Sequence, residues 1–421
     1  MATTVRIGMV GAGAVAARHV RTLLAMDGVE VAGVADPALE RARELAGQAG
    51  APAYPNHMEL LEAERPDAVY ICVPPFAHGA PELAVIDAGL PMFVEKPVAI
   101  DQETAATIAA RLAERPVLTC TGYHWRWLDI FDRAVELLAD RPPRLVQCFW
   151  LDKVPPPLWW PRRDGSGGQV IEQTTHVLDT ARALAGEVTE VHAFGARATT
   201  SPPGRRARPD PPPLGSPGPR TGRVADGGEG GARLSTGPGE AAPAGTTPAH
   251  AASARTASAP TVPARARLAG ADIHAVSVAT LRFASGAVGT VASTCLLPRL
   301  HRAGVQVVGD GLSLELSETE LVVEVDGERS AWAAAADARP RPDADFVAAV
   351  RGGADRIRVP WPEAYRTHLL ACAITGSAEQ GRPLPVPDGA GQPRFGAPAD
   401  RDGPDERPGA PAAAAPGGER G

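Results

Sequence analysis

Cysteine is scarce in this chain of 421 residues. The five cysteines (Cys72, Cys120, Cys148, Cys295 and Cys372) are scattered, and none forms a C-x-x-C pair. An odd, dispersed set fits reduced thiols and excludes both a disulfide framework and a cysteine zinc site, so no metal is expected. Lysine is scarcer still: of 42 basic residues two are lysine, Lys96 and Lys153. No apolar run approaches the roughly 18 residues of a helical membrane span. Excess positive charge is also missing, since the formal net charge is −7 and the isoelectric point about 5.9, which argues against nucleic acid as a partner. The first strand starts within a few residues of Met1, leaving no room for a secretory leader, so the expected location is cytoplasmic.

What is present begins with a regular alternation. Strands are expected at Val5–Val10, Val29–Ala35, Ala68–Val73, Met92–Val94 and Val117–Thr121, with helices at Ala14–Met26, Leu39–Ala46 and Gly79–Ala88. Near-continuous apolar strands separated by helices predict a parallel sheet covered on both faces, an α/β domain over 1–122. After Tyr123 the texture changes to successive strands with helices at Val170–Ala185, Asp345–Arg351 and Glu363–Glu379. That pattern predicts an α+β domain over 123–387 with a mostly antiparallel sheet. Residues 199–270 and 388–421 are rich in Pro, Gly, Ala and Arg, with few large apolar side chains. They are expected as a disordered insertion and a disordered tail, because they cannot bury enough surface to offset their ordering entropy.

Three constellations carry chemistry. The first is Gly11-x-Gly13-x-x-Ala16, after a strand and opening a helix. The first glycine permits a tight turn, the second lets backbone amides approach a pyrophosphate, and the small third residue allows close packing. In an Ala/Gly-rich chain such a turn can arise by chance, but Asp36 stands 20 residues after Ala16 at the end of the second strand. A carboxylate there accepts from ribose hydroxyls and repels a 2′-phosphate, which predicts a Rossmann domain binding NAD. NADP stays open, since Arg41 or Arg43 could lean in.

The second constellation is Glu95-Lys96-Pro97, at the end of a parallel strand. Ligands bind beyond the carboxyl ends of such strands, so Lys96 faces the cofactor crevice. The plain alternative is a surface cation, but in an arginine-dominated chain a guanidinium would serve that purpose. The third is the helix opening with Gly167-Gly168, in which Glu172, His176 and Asp179 fall on one face while Val170, Val177, Leu178, Ala181 and Leu184 form the packing stripe. Taken alone, such a polar face is more often solvated or structural than catalytic.

Four stretches in order, GMVGAGAVAARHV, ICVPPFAH, FVEKPVA and GGQVIEQTTHVLD, resemble the Gfo/Idh/MocA family of oxidoreductases. A fifth, DFVAAVRGG…AYRTHLLACAITGSAEQGRPLPV, is similar to that family's C-terminal helices and last strand. The resemblance implies hydride transfer between nicotinamide and a carbinol carbon of a sugar, inositol or polyol. It makes Lys96 and His176 the catalytic pair, with Glu172 in support where the family often has aspartate. Gly11, Gly13, Ala14, Val15, Asp36, Pro74, His78, Glu95 and Lys96 would contact the dinucleotide. Tyr123, Trp160, Arg162 and His176 would contact the substrate, Trp159 and Trp160 either as a stacking wall or as interface packing. His78 serves equally as a helix cap, and His19 reads better as packing within the first helix. Family members also include cofactor-dependent glycosidases and enone reductases, and a non-catalytic cofactor sensor is a further alternative. A homo-oligomer, dimer or tetramer, is compatible with an exposed sheet face.

Overall fold

The computed structural model describes residues 4–198 and 264–389. Most of the expected insertion, 199–263, and of the tail, 390–421, lies outside the described residues.

The first sheet has six parallel strands: β1 Val5–Val10, β2 Val29–Ala35, β3 Ala53–Tyr54, β4 Ala68–Ile71, β5 Met92–Val94 and β6 Thr119–Thr121, in the order β3-β2-β1-β4-β5-β6. Ile7, Met9, Val69, Ile71 and Phe93 are fully buried, as strands covered on both faces require. Helices Ala14–Leu24, Leu39–Ala49, His57–Glu64, Ala80–Ala88 and Gln102–Glu114 connect them. Sequence reasoning missed β3, too short for periodicity. It also missed His57–Glu64 and Gln102–Glu114, although Asn56 and Asp101 cap them by accepting from Glu59 N and Thr104 N. Strand order reverses between β1 and β4, and the crevice at their carboxyl ends is the natural ligand position.

The second sheet has nine strands: β7 Leu145–Leu151, β8 Val188–Ala196, β9 Val276–Phe283, β10 Val288–Thr294, β11 Arg302–Gly309, β12 Leu312–Leu316, β13 Glu320–Val325, β14 Glu328–Ala333 and β15 Leu384–Pro385. Neighbours run antiparallel except β7 and β10, which are parallel. Along β9 the inward Ser277, Ala279, Leu281 and Phe283 are buried and the outward Val278, Thr280 and Arg282 exposed. This period of two marks a sheet covered on one face. The long helix Trp361–Gln380 packs on this sheet and against Gln102–Glu114 of the first unit, while Trp361 N donates to Thr119 Oγ1 on β6 at 2.9 Å. One helix therefore contacts elements of both sheets.

Two expectations are corrected. Residues 264–270 do not belong to an unstructured insertion: Ala264–Arg267 is helical, and Leu268 is buried with Val154, Trp160 and Ile273. The segment from Val170 to Ala185 is not one regular helix. Val170–Thr174 forms a π turn and the α-helix runs from Thr175 to Ala185.

Candidate active site

The glycine turn closes β1 with two glycines in different roles. Gly11 has φ +98°, and a Cβ there would lie 2.2 Å from the Cys72 carbonyl oxygen, so no side chain fits. Gly13 has φ −83° and a Cβ there would meet nothing within 4 Å. It opens the helix without a side-chain cap, and Ala14 and Val15 beside it are exposed. The unpaired amides of that first turn face a cleft of about 340 Å³, lined by Ala12, Gly13, Ala14, Ala17, Arg41 and Leu45 among others. Asp36 is tied to one lining residue, since its Oδ2 accepts from Ala12 N at 2.9 Å, and its Oδ1 accepts from Ala38 N at 2.8 Å. Arg43 pairs with Glu40 at 2.5 Å, whereas Arg41 reaches the cleft. Pro74 precedes the short turn Pro75–Ala77 beyond β4.

Two residues expected to touch the dinucleotide are buried and bound to protein partners. His78 is buried, its Nδ1 2.6 Å from Glu82 Oε1, and Glu82 Oε2 in turn accepts from Gly79 N at 2.7 Å. His78 thus serves the cap of the Ala80–Ala88 helix, the alternative left open by its sequence position. Glu95 is buried as well, and its Oε1 accepts from Arg18 at 3.0 Å and from His19 Nε2 at 2.9 Å, its Oε2 from Lys96 N at 3.1 Å. His19, expected to pack within its helix, bridges instead to Asp343 Oδ1 through Nδ1 at 2.7 Å. Burial opposes charge on this ring, but carboxylates at both nitrogens outweigh it and push the pKa up to about 9. For Glu95, burial works against the charge and the His19 bond favours it, leaving the carboxyl held down at about 2.

Directly after β5, the Lys96 ammonium donates to the Glu172 carbonyl at 2.9 Å and to Glu172 Oε1 at 3.0 Å. The Lys96–Pro97 peptide is cis. Trp160 Nε1 donates to Glu172 Oε2 at 2.6 Å. Trp160 is 0% exposed, so the expected stacking wall for a substrate ring is corrected: its indole holds the carboxylate that holds the lysine. Arg162 also departs from expectation, for its guanidinium is 64% exposed and paired with Asp164 at 2.6 Å.

His176 begins the α-helix after the π turn. Trp125 and Trp150 lie nearly parallel to its ring at 6.3 and 5.6 Å, while Tyr123 and His124 meet it edge-on at 5.8 and 5.4 Å. The Tyr123 and Thr175 hydroxyls share a 2.7 Å hydrogen bond, so Tyr123 supports His176 from within the core. Desolvation, followed by the positive charge of Lys96, holds the imidazole pKa well below its usual value, and the ring is neutral near pH 7. Its Nδ1 is sealed and without a partner. Asp179, expected on the same face, is fully buried elsewhere: Arg126 donates to it at 2.7 and 3.0 Å and Thr367 at 3.1 Å. The π turn changes the angular step between Glu172 and the following helix, which offsets Glu172 from the face that His176 and Asp179 share by spacing; Asp179 parts from His176 because its carboxylate is taken up by Arg126 and Thr367. Trp150 and Glu318 were missed by sequence reasoning; His124 and Trp125 stand in the run Gly122-Tyr123-His124-Trp125-Arg126-Trp127, which is unusual after Tyr123 but gives neither residue a role.

Among the described residues no helix is long and apolar enough to cross a membrane, and no group of three His, Cys, Asp or Glu is placed to hold a metal ion. Residues 5–123 match the model of an oxidoreductase family with an NAD-binding Rossmann fold, and residues 142–227 match the GFO/IDH/MocA C-terminal domain. The chain is 30% identical over 195 residues to a myo-inositol 2-dehydrogenase of Thermotoga maritima, covering 45% of this chain and 58% of that protein. It is 34% identical over 191 residues to the rhizopine catabolism protein MocA of Rhizobium meliloti, covering 44% and 58%. The matched stretch is thus under two thirds of either relative. A levoglucosan dehydrogenase in complex with NADH has the same fold at 17% identity, with TM-score 0.69, covering 91% of this chain and 100% of that one. So has the WlbA dehydrogenase of Bordetella pertussis, at 18% identity with TM-score 0.66, covering 91% and 99%.

Proposed function

This chain belongs to the Gfo/Idh/MocA family, with an NAD-binding Rossmann domain, and on that premise we propose that it is an NAD-dependent dehydrogenase acting on a carbinol carbon of an inositol, sugar or other polyol. The observation that carries the proposal is the lysine of the β5 end, fixed by Glu172, beside a buried and neutral His176.

The residues at the crevice fit NAD. Open space above Gly13 and the free amides of Ala14 and Val15 suit a pyrophosphate, and Asp36 suits the adenosine ribose hydroxyls. A carboxylate there disfavours a 2′-phosphate, although Arg41 lines the same cleft. Bound there, NAD supplies the hydride acceptor.

His176 takes the hydroxyl proton through Nε2, since Nδ1 is sealed, and its neutrality leaves that nitrogen's lone pair ready. Lys96 stabilises the negative charge that develops on the substrate oxygen. With two of its donors committed to Glu172, its ammonium is aimed before substrate arrives. Trp160 and Glu172 act as positioning residues. Tyr123 and Trp150 support the base, and Lys96 and Gly13 stand on the cofactor side.

Incubation of the chain with NAD and a panel of inositols, sugars and polyols, followed by absorbance of reduced cofactor, tests the proposal. Reduction with at least one alcohol is expected. Activity on another substrate class with no alcohol oxidised would overturn it.

A further inference from the structure

A second histidine borders His176, and the reading above gives it no task. His124 opens the short turn His124–Trp127 after β6. Its Nε2 lies 3.0 Å from Glu318 Oε1, in the connection between β12 and β13, and Arg339 Nη2 holds the same oxygen. Facing a carboxylate, Nε2 is the protonated nitrogen, and Nδ1 keeps the lone pair. Burial opposes charge on Glu318, but the bond from His124 and the Arg339 charge outweigh it and hold the carboxyl below its usual range.

The His124 and His176 rings meet at 74° with centroids 5.4 Å apart, so the two imidazoles are direct neighbours. Tryptophan faces and Tyr123 enclose His176 on its other sides. The His124 side chain is 14% exposed and Glu318 33%, so the dyad connects a buried base to solvent.

We propose that His124, oriented by Glu318, is the positioning and relay residue through which His176 exchanges its proton with solvent. With NAD bound, the dinucleotide would supply the hydride acceptor for the substrate C–H, and the O–H proton would go to His176. That proton then passes to His124 Nδ1, where the Glu318 carboxylate balances the imidazolium, and on to water. The other charged groups around the pair are Lys96, Arg18 and Arg339, while Arg126 is committed to Asp179 and Glu363. The chemistry rests on the dehydrogenase reading, but the coupling of the two rings does not.

The test is a histidine NMR titration of the full chain as wild type, His124→Gln and Glu318→Gln, paired with NADH formation. His124→Gln raises the His176 midpoint by about one pH unit, because the charge His124 carries once it has taken a proton opposes a proton on His176. Glu318→Gln leaves the His124 ring without its carboxylate partner, and turnover falls in this variant too. The His19 signal stays in place in both, reporting an intact fold. Turnover by His124→Gln falls about tenfold and is partly restored by added imidazole. A His176 midpoint that does not move overturns the relay, whatever the activity. A shifted midpoint in a protein that oxidises no alcohol upholds the coupling and sinks the dehydrogenase reading instead.

Discussion

The ammonium of Lys96 donates to both the main-chain carbonyl and the side-chain Oε1 of Glu172, at 2.9 and 3.0 Å. A bond to the backbone of the π turn that leads into the His176 helix ties the lysine to the position of the base. Lys96→Ala should therefore lower kcat by about 100-fold or more, and His176→Ala by a comparable factor. NAD affinity, read by calorimetry, should change little for His176→Ala. Lys96→Arg should not rescue turnover, since the planar fork cannot take the place of a compact ammonium. Unchanged turnover in either alanine variant would refute the assigned roles.

Trp160 reaches the reaction only through Glu172. Trp160→Phe keeps most of the volume and removes the 2.6 Å bond to Glu172 Oε2. The buried oxygen left without its donor should cost about 1–3 kcal/mol of stability. The expected kinetic result is a kcat several-fold lower with KM nearly unchanged. A rise confined to KM would instead make Trp160 a substrate contact.

The two glycines of the turn should respond differently to the same substitution. Gly11→Ala collides with the Cys72 carbonyl, and poor folding is expected in a thermal melt. Gly13→Ala has an ordinary φ and open space, so the fold should survive while NAD affinity drops. Tight NAD binding by folded Gly13→Ala would move the pyrophosphate site elsewhere.

Cofactor choice should depend on Asp36 and Arg41. Asp36→Ser removes the charge that repels a 2′-phosphate and leaves Arg41 in the cleft. The ratio of kcat/KM for NADP over NAD should rise by about tenfold or more, and adding Arg41→Ala should reverse the gain. An unchanged ratio would show that neither residue sets the preference.

The His19 network makes a stability prediction with a definite sign. His19 is raised from 6.5 to about 9 in the folded chain, so its contribution is full below about pH 6.5 and is lost as pH rises through 9. Glu95 is lowered from 4.5 to about 2, so its contribution is full above 4.5 and is lost as pH falls towards 2. The melting temperature should be highest between these flanks. His19→Gln should lower it by roughly 5 °C or more at pH 6 and flatten the alkaline flank. An alkaline flank of equal slope in wild type and variant would exclude His19 as its cause.

Chain order and local pattern determined a good deal. Alternating apolar runs and helical spacing define the parallel sheet, and a glycine turn followed by Asp36 at the next strand end defines a dinucleotide cradle. The rarity of lysine singled out Lys96. Apart from that chain-wide count, each is a local signal, carried by backbone periodicity or by a turn that only particular residues can make. Other features appear only when distant segments meet. Trp160 and Arg162 are near neighbours in the chain, yet one is sealed against Glu172 and the other faces solvent. Glu95 pairs with His19 from another strand–helix unit, and Glu318 reaches His124 across 194 positions. A π turn, invisible in residue spacing, offsets Glu172 from the His176 helix, and a distant Arg126 claims the Asp179 carboxylate. Periodicity reports which side of an element is apolar; the partner of a buried polar atom is set by packing between elements, and that is where the tertiary structure decided.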